Sequence, residues 1–372
     1  MRILFTGGGT GGHFFPIIAV AREIKRLAEE KRILDIQLYY IGPDDFASND
    51  LKDEEILSFT IWSGKVRRYF SVRNALDSVK LAIGIVHALW KLFIIMPDVI
   101  FSKGGYGAIP TLIAGRMFRI PIVIHDSDAI PGVVTQWSAK FAKRIAISYA
   151  SAAKFFSREK IALTGTPIRK RTLGGNPDEA RELLGVYSKD PILFFIGGSQ
   201  GAQKINDAII GILPELLKKY EVIHQAGKAN YEDVRLETRT IEEKTVKGKY
   251  HPIAFLSEPQ LRAAYTIADF VVSRASSGIF EIAAAGKPSI LIPIKKSAQD
   301  HQRENAYQYA KTGAAVVVEE DNLTPHLLLN EIEKLMGDKG RLQKMSEEAQ
   351  KFARVDAATL IADEVLKLGI HN

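Results

Sequence analysis

Two strand–glycine-loop–helix units constrain this chain more than any other feature. The first runs from the apolar residues 2–6 through GGGTGGH, Gly7 to His13, into a helical pattern at 17–30. The second runs from residues 191–196 through GGSQGAQ, Gly197 to Gln203, into a helical pattern at 205–219. Glycines between a strand and a helix let the backbone take positive φ and approach a ligand closely. The helix start that follows offers unpaired N–H groups to an anion. Two such units in one chain predict two nucleotide-binding-type domains that bring two substrates together.

The rest of the pattern agrees. Strand-like runs at 37–41, 99–101, 120–125, 144–148, 222–225, 270–273, 289–293 and 314–318 are separated by helical runs at 78–95, 279–285, 300–312 and 325–336. That alternation predicts βαβ units and parallel sheets, with ligands beyond the carboxyl ends of the strands. A domain boundary is expected around residues 165–169, followed by a polar stretch at 169–190 broken by Gly174, Gly175 and Pro177. Residues 356–368 read as a final amphipathic helix. The expected division is 1–165 with about 355–372, and 166–354.

At 372 residues the chain is long enough for two cores, and its 46% hydrophobic and 25% charged residues are ordinary for a globular protein. A net charge of +7 suits a phosphate ester or an acidic membrane surface and is too diffuse to argue for nucleic acid. Without cysteine there is no disulfide framework and no thiolate metal site, and the eight histidines show no ligand spacing. The first residues pass straight into a strand, so no secretory leader is expected. The longest apolar run, Leu81 to Met96, contains His87 and Lys91 and ends at Pro97, too short and interrupted to span a bilayer. Lys65, Arg67, Arg68, Arg73 and Lys80 precede or flank it, so the segment reads as a basic amphipathic face for an anionic bilayer or as a buried helix with a solvated edge.

Several residues are chemical candidates. Gly7, Gly9 and Gly12 formally match a dinucleotide fingerprint, but the acid expected about 20 residues on is missing. The nearest acids after the second strand run, Asp44 and Asp45, lie well past that distance, which weakens an oxidoreductase reading. His13, at a helix start, could serve as a general base or be a polar neighbour of the cap. Ser199 and Gln200 suit a diphosphate, although Ser199 could equally be an N-cap. Ser276, Ser277 and Gly278 lead into a helix bearing Glu281, whose carboxylate could accept hydrogen bonds from two ribose hydroxyls or simply cap the helix. Gln302 opens a later helix rich in groups that could bind sugar hydroxyls. Asp126 and Asp128 have cation-binding spacing but sit in the first half, away from the second glycine loop.

Taken together, GGGTGGHFFP, SKGGYGAIP, IPIVIHDSD, GTPIR, GGSQGAQ and EIAAAGKPSILIPIKKSAQDHQRENA run through nearly the whole chain, which closely resembles the MurG-type family of glycosyltransferases. The resemblance implies a GT-B architecture, two Rossmann-like domains with parallel sheets facing across a cleft. It implies inverting transfer of N-acetylglucosamine from UDP-N-acetylglucosamine to the 4-hydroxyl of a lipid-linked N-acetylmuramyl-pentapeptide. Arg169 and the backbone of Leu256 would lie near the uracil, Thr10, Gly11, Gly12, Asp128, Ser199, Gln200, Ser276, Ser277 and Gly278 around the donor, Glu281 on the ribose and Gln302 on the sugar. Gly11, Gly12, His13, Gly104, Gly105 and Tyr106 would take the acceptor. His13 would be the base, with Asp126 and Asp128 as rivals. No cofactor is implied, and stimulation by a divalent cation is left open. The segment Leu81 to Met96 would touch an anionic membrane, placing the protein peripherally on the cytoplasmic face of the inner membrane.

Three departures from the family pattern stand out. His125, Asp126, Ser127 and Asp128 replace a usual His-Glu-Gln-Asn, the loop between Arg274 and Glu281 is one residue shorter, and Ala108 replaces a common serine. A GT-B transferase with another acceptor, a UDP-sugar epimerase of the same fold, and a nucleotide-sugar binding module remain alternatives.

Overall fold

The computed structural model describes residues 1–8, 11–43, 48–63, 72–197, 202–244, 248–295 and 297–370. The chain divides into two units, Met1–Ile168 with Arg354–Asn372, and Arg169–Ala353.

In the first unit β1 (Arg2–Thr6) leads to α1 (Gly11–Glu30) and β2 (Gln37–Gly42), then α2 (Ser48–Asp53), β3 (Leu57–Thr60), α3 (Val72–Ile95) and β4 (Val99–Ser102). There follow α4 (Ile109–Met117), β5 (Ile122–Asp126), α5 (Val133–Ser138), β6 (Arg144–Ile147) and β7 (Ile161–Leu163). The strands form one parallel sheet in the order β3-β2-β1-β4-β5-β6-β7. β1, β4 and β5 are buried apart from Arg2, because helices cover both faces. One core layer joins Ile3, Phe5 and Phe101 to Ile17, Val20 and Ile24 of α1; the other joins Leu4, Ile100 and Ile124 to Ala88, Leu92 and Leu112.

The second unit contains α6 (Pro177–Leu184), β8 (Ile192–Ile196), α7 (Gln203–Ile210), α8 (Leu213–Leu216), β9 (Glu221–Gln225), α9 (Tyr231–Lys244), β10 (Tyr250–Ile253), α10 (Glu258–Ile267) and β11 (Phe270–Ser273). It continues through α11 (Gly278–Ala284), β12 (Ser289–Leu291), α12 (His301–Ala310), β13 (Ala315–Val317), α13 (Pro325–Met336) and α14 (Lys339–Phe352). Its sheet is parallel in the order β10-β9-β8-β11-β12-β13. The last helix, α15 (Ala357–Ile370), returns to the first unit, where Ala358, Ile361, Ala362, Val365 and Leu366 join the α1 layer.

Strand order reverses between β1 and β4 in one sheet and between β8 and β11 in the other. A parallel sheet opens a crevice beyond the carboxyl ends of its strands at such a point. Both glycine loops follow the first strand of their switch point.

Some elements differ from the expected ones. α1 starts at Gly11, before Pro16, although Pro16 removes one helical hydrogen bond; burial of Phe14, Ile17 and Ile18 outweighs that cost. The single helix expected at 205–219 is two, because Gly211 and Pro214 interrupt it and Ile212 leaves helical geometry. The polar stretch at 169–190 contains α6, capped by the Asn176 side chain on the Asp178 N–H and closed by left-handed Gly185. β3, β7 and β10 are edge strands, short and partly exposed, and so lack the apolar run that marks a buried strand. Among the described residues no helix is long and apolar enough to cross a membrane.

Candidate active site

In the first unit the loops after β1 and β4 meet as bare backbone. A Cβ on Gly107 would lie 2.4 Å from Pro43 Cδ and 3.0 Å from the Gly7 carbonyl oxygen, and one on Gly8 would lie 3.1 Å from the Gly107 nitrogen. Only glycine permits that approach. His13 occupies the first turn of α1, its Nδ1 2.7 Å from the Gly8 carbonyl oxygen. A carbonyl only accepts, so Nδ1 carries the proton and the neutral ring has its lone pair on Nε2. The ring lies beside Gly105, where a Cβ would sit 3.4 Å from its Cε1 and Nδ1; Gly104 and Gly105 both have positive φ. His13, Gly11, Gly12, Gly104 and Gly105 thus gather at the carboxyl ends of β1 and β4, and Tyr106 stands exposed on the short helical turn that follows.

The end of β5 is built differently. Asp126 is buried, and its two carboxylate oxygens accept from the Asp128 N–H at 2.9 Å and the Gly132 N–H at 3.1 Å. Burial, with Asp128 beside it, pushes this carboxyl up to about 6 against the pull of Lys103. Both oxygens thus help to shape the turn into α5. His125 is buried and neutral: burial first, then the Lys103 charge, hold its pKa well below the usual imidazole range, and its Nε2–H donates to the Gly165 carbonyl at 3.0 Å. Ser148 Oγ donates to the Asp126 carbonyl at 2.9 Å and bonds Thr166 Oγ1 at 2.7 Å, tying β5 to β6 and the 164–166 segment. Lys103 escaped the sequence reading. It looks like one more polar loop residue, yet its side chain is buried and Nζ donates to Ser127 Oγ at 2.8 Å.

In the second unit the central feature is an ion pair. Arg169 Nε and Nη2 donate to the two Glu281 oxygens at 3.0 and 3.2 Å, and both side chains are largely buried. Burial works against the Arg169 cation, and Glu281, with Glu258, more than restores it. Arg169 is thus engaged with Glu281, the carboxylate expected at the ribose. A carboxylate has about four acceptor sites and a bidentate guanidinium takes two, leaving one per oxygen for a pair of vicinal hydroxyls. Ser277 stands at the N-cap of α11 without bonding it through its side chain, and Ser276, Ser277 and Gly278 are half-buried.

The neighbouring loops carry the other candidates. The Leu256 N–H donates to Gln225 Oε1 at 3.0 Å, so the backbone group it has left for a base edge is its carbonyl. Next to Gln225, His224 is buried; its Nε2–H donates to Asn206 Oδ1 at 3.0 Å and Nδ1 accepts from the Tyr250 hydroxyl at 2.8 Å. Gln302 Oε1 accepts from the Ile294 N–H at 3.1 Å, leaving its amide nitrogen for a sugar hydroxyl. Gln299 and Asp300, just before it, both take left-handed φ near 58°. A second buried pair was not anticipated. Arg274 donates to Glu320 at 2.5 Å and to the Ile292 carbonyl at 3.1 Å, while Glu320 accepts from the Lys295 N–H at 3.2 Å, which ties together the carboxyl ends of β11, β12 and β13. Thr10, Ser199 and Gln200 lie outside the described residues, as do Asp44, Asp45 and the basic residues 65–68.

Paired parallel sheets with glycine loops at their switch points define the GT-B class of sugar-nucleotide enzymes. Residues 3–147 match the glycosyltransferase family 28 N-terminal domain and 192–361 its C-terminal domain. The chain is 36% identical over 337 residues to UDP-N-acetylglucosamine–N-acetylmuramyl-(pentapeptide) pyrophosphoryl-undecaprenol N-acetylglucosamine transferase 3 of Bacillus thuringiensis (strain Al Hakam), covering 90% of this chain and 91% of that one. It is 34% identical over 364 residues to the transferase of the same name from Clostridium kluyveri, covering 97% and 98%. Among solved structures, MurG of Acinetobacter baumannii shares the fold with a TM-score of 0.72 at 22% identity, over 98% of this chain and 99% of that one. A UDP-N-acetylglucosamine 2-epimerase shares it at 0.69 and 13% identity, over 100% and 97%. The chain belongs to the family 28 glycosyltransferases, within the group of these N-acetylglucosamine transferases.

Proposed function

We propose that this chain transfers N-acetylglucosamine from UDP-N-acetylglucosamine to the 4-hydroxyl of a lipid-linked N-acetylmuramyl-pentapeptide, with inversion. The reading rests above all on identity of 34–36%, spread over 90% or more of the chain, to transferases that bear this activity in their names. The second unit would hold the donor. Glu281, aimed by Arg169, accepts from the two ribose hydroxyls, the Leu256 carbonyl accepts from the uracil N3–H, and the Gln302 amide donates to the sugar. Ser199, Gln200 and the loop after β8 would receive the diphosphate, with Thr10, Ser276, Ser277 and Gly278 as further donor contacts. The first unit would hold the acceptor at Gly11, Gly12, Gly104, Gly105 and Tyr106. His13 Nε2 takes the proton of the 4-hydroxyl as its oxygen bonds the anomeric carbon, and the C–O bond to UDP breaks with its electron pair. No step is assigned to a metal ion.

The acceptor's lipid calls for a membrane surface, and α3 offers one. Ala88, Leu92 and Ile95 face the core, while Val79, Ile83, Val86, Trp90 and Phe93 form an exposed stripe at helical spacing, with Met96 and Trp62 nearby. An exposed apolar stripe of this kind suits the interface of a bilayer. We assign this face to an anionic membrane, with the protein peripheral on its cytoplasmic side.

The test supplies purified protein with radiolabelled UDP-N-acetylglucosamine and a lipid-linked muramyl-pentapeptide. Label in the lipid product is expected. Conversion of the sugar nucleotide with no label in lipid would overturn the reading in favour of an epimerase.

A further inference from the structure

Lys103 spans two parts of the first unit. Its N–H donates to the Thr6 carbonyl at 2.9 Å, and its Cβ packs 3.2 Å from where a Cβ on Gly7 would lie, so its backbone belongs to the switch point between β1 and β4. Its side chain runs inward, 3% of the residue being exposed, and its ammonium bonds Ser127, the residue between Asp126 and Asp128. A buried ammonium is costly unless paired. Burial lowers the Lys103 pKa, Asp126 and Asp128 oppose that by supplying negative charge, and His125 is the other titratable group facing it.

We infer that Lys103 is a positioning residue whose buried ammonium balances Asp126 and Asp128 and so pins the 126–132 turn beside the acceptor-side glycines. Asp126 can hold the Asp128 and Gly132 amides as a carboxylate only while a cation offsets the two negative charges. The carboxylate at 128 is then matched to the lysine at 103. The placement beside the acceptor rests on the proposed function; the charge balance does not.

The first test is thermal melting, which needs no substrate. Lys103→Met should lower Tm more at about pH 8, where both aspartates must ionise without a cation, than at about pH 5. Asp128→Asn should lower Tm in the wild-type background and raise it in the Lys103→Met background, because it removes one of two unbalanced charges. An equal loss at both pH values, or the same effect of Asp128→Asn in both backgrounds, overturns the inference. If Lys103→Met does not fold, recovery by the double variant supports the link and continued failure overturns it. In the transfer assay Lys103→Met should lower kcat about tenfold and shift its acid limb upward, with donor KM within about twofold. A uniform loss at every pH would mark a packing role and overturn it. Absence of transfer by the wild type would refute the proposed function and leave Lys103 to be decided by melting.

Discussion

Glu281 is held from one side by Arg169 before any ligand arrives, so its orientation is built into the second unit. Glu281→Gln keeps the shape and removes the charge. It should raise the dissociation constant for UDP-N-acetylglucosamine by about tenfold and destabilise the fold by about 1–3 kcal/mol, since Arg169 stays buried without its counter-charge. Titration calorimetry and denaturant melts measure the two effects. His13→Gln should instead lower kcat by about 100-fold or more with donor affinity nearly unchanged. Equal losses of donor affinity in both variants would contradict this division of labour. His224 sets a pH dependence of stability. Burial holds its pKa at about 3, below the ordinary 6.5. A depressed imidazole contributes stability above its unfolded pKa that is lost as pH falls toward the folded value. Tm should therefore fall as pH drops from about 6.5 toward 3, and His224→Gln should flatten that slope. An unchanged slope would remove His224 from the account.

At the scale of elements, α3 packs Ala88 and Leu92 inward and leaves Trp90 and Phe93 exposed by 57% and 67%. Replacing both exposed residues with serine should leave Tm nearly unchanged and abolish sedimentation with anionic vesicles. Retained vesicle binding would move the membrane face elsewhere. The junction of the loops after β1 and β4 is more brittle. Gly107→Ala forces a methyl against Pro43 and the Gly7 carbonyl, which should cost about 1–3 kcal/mol and lower acceptor turnover. Denaturant midpoints would check the first effect, and a neutral result would mean that Pro43 yields. The same two elements mark the limits of pattern reading. Periodicity reveals α3 because its apolar residues recur at helical spacing. It cannot reveal that a lysine after β4 turns inward, because burial at 103 is decided by where β5 delivers Asp126.

For the molecule as a whole, both parallel sheets were legible because β1, β4, β8 and β11 are short apolar runs between helical patterns. The glycine loops and the segment around Glu281 likewise stand out as motifs. The edge strands β3, β7 and β10 were not, since they have too little buried surface to select an apolar sequence. The ion pairs Arg169–Glu281 and Arg274–Glu320 escaped for another reason: their partners lie far apart in sequence and meet only once the sheet has assembled. Whole-chain topology also separates the two units experimentally. Deleting residues 354–372 should speed hydrogen exchange throughout β1, β4 and α1 and leave β8, β9 and β11 protected. Uniform loss of protection would mean that the units unfold as one.

That return of α15 also has a consequence for biosynthesis. The first unit is begun before the second on the ribosome but is completed after it. Its α1 layer stays incomplete until residues 357–370 have emerged. The second unit, a continuous insertion, has all its strands and helices in hand by then. The nascent chain thus carries an open apolar seam from the completion of α1 until α15 is translated and closes it.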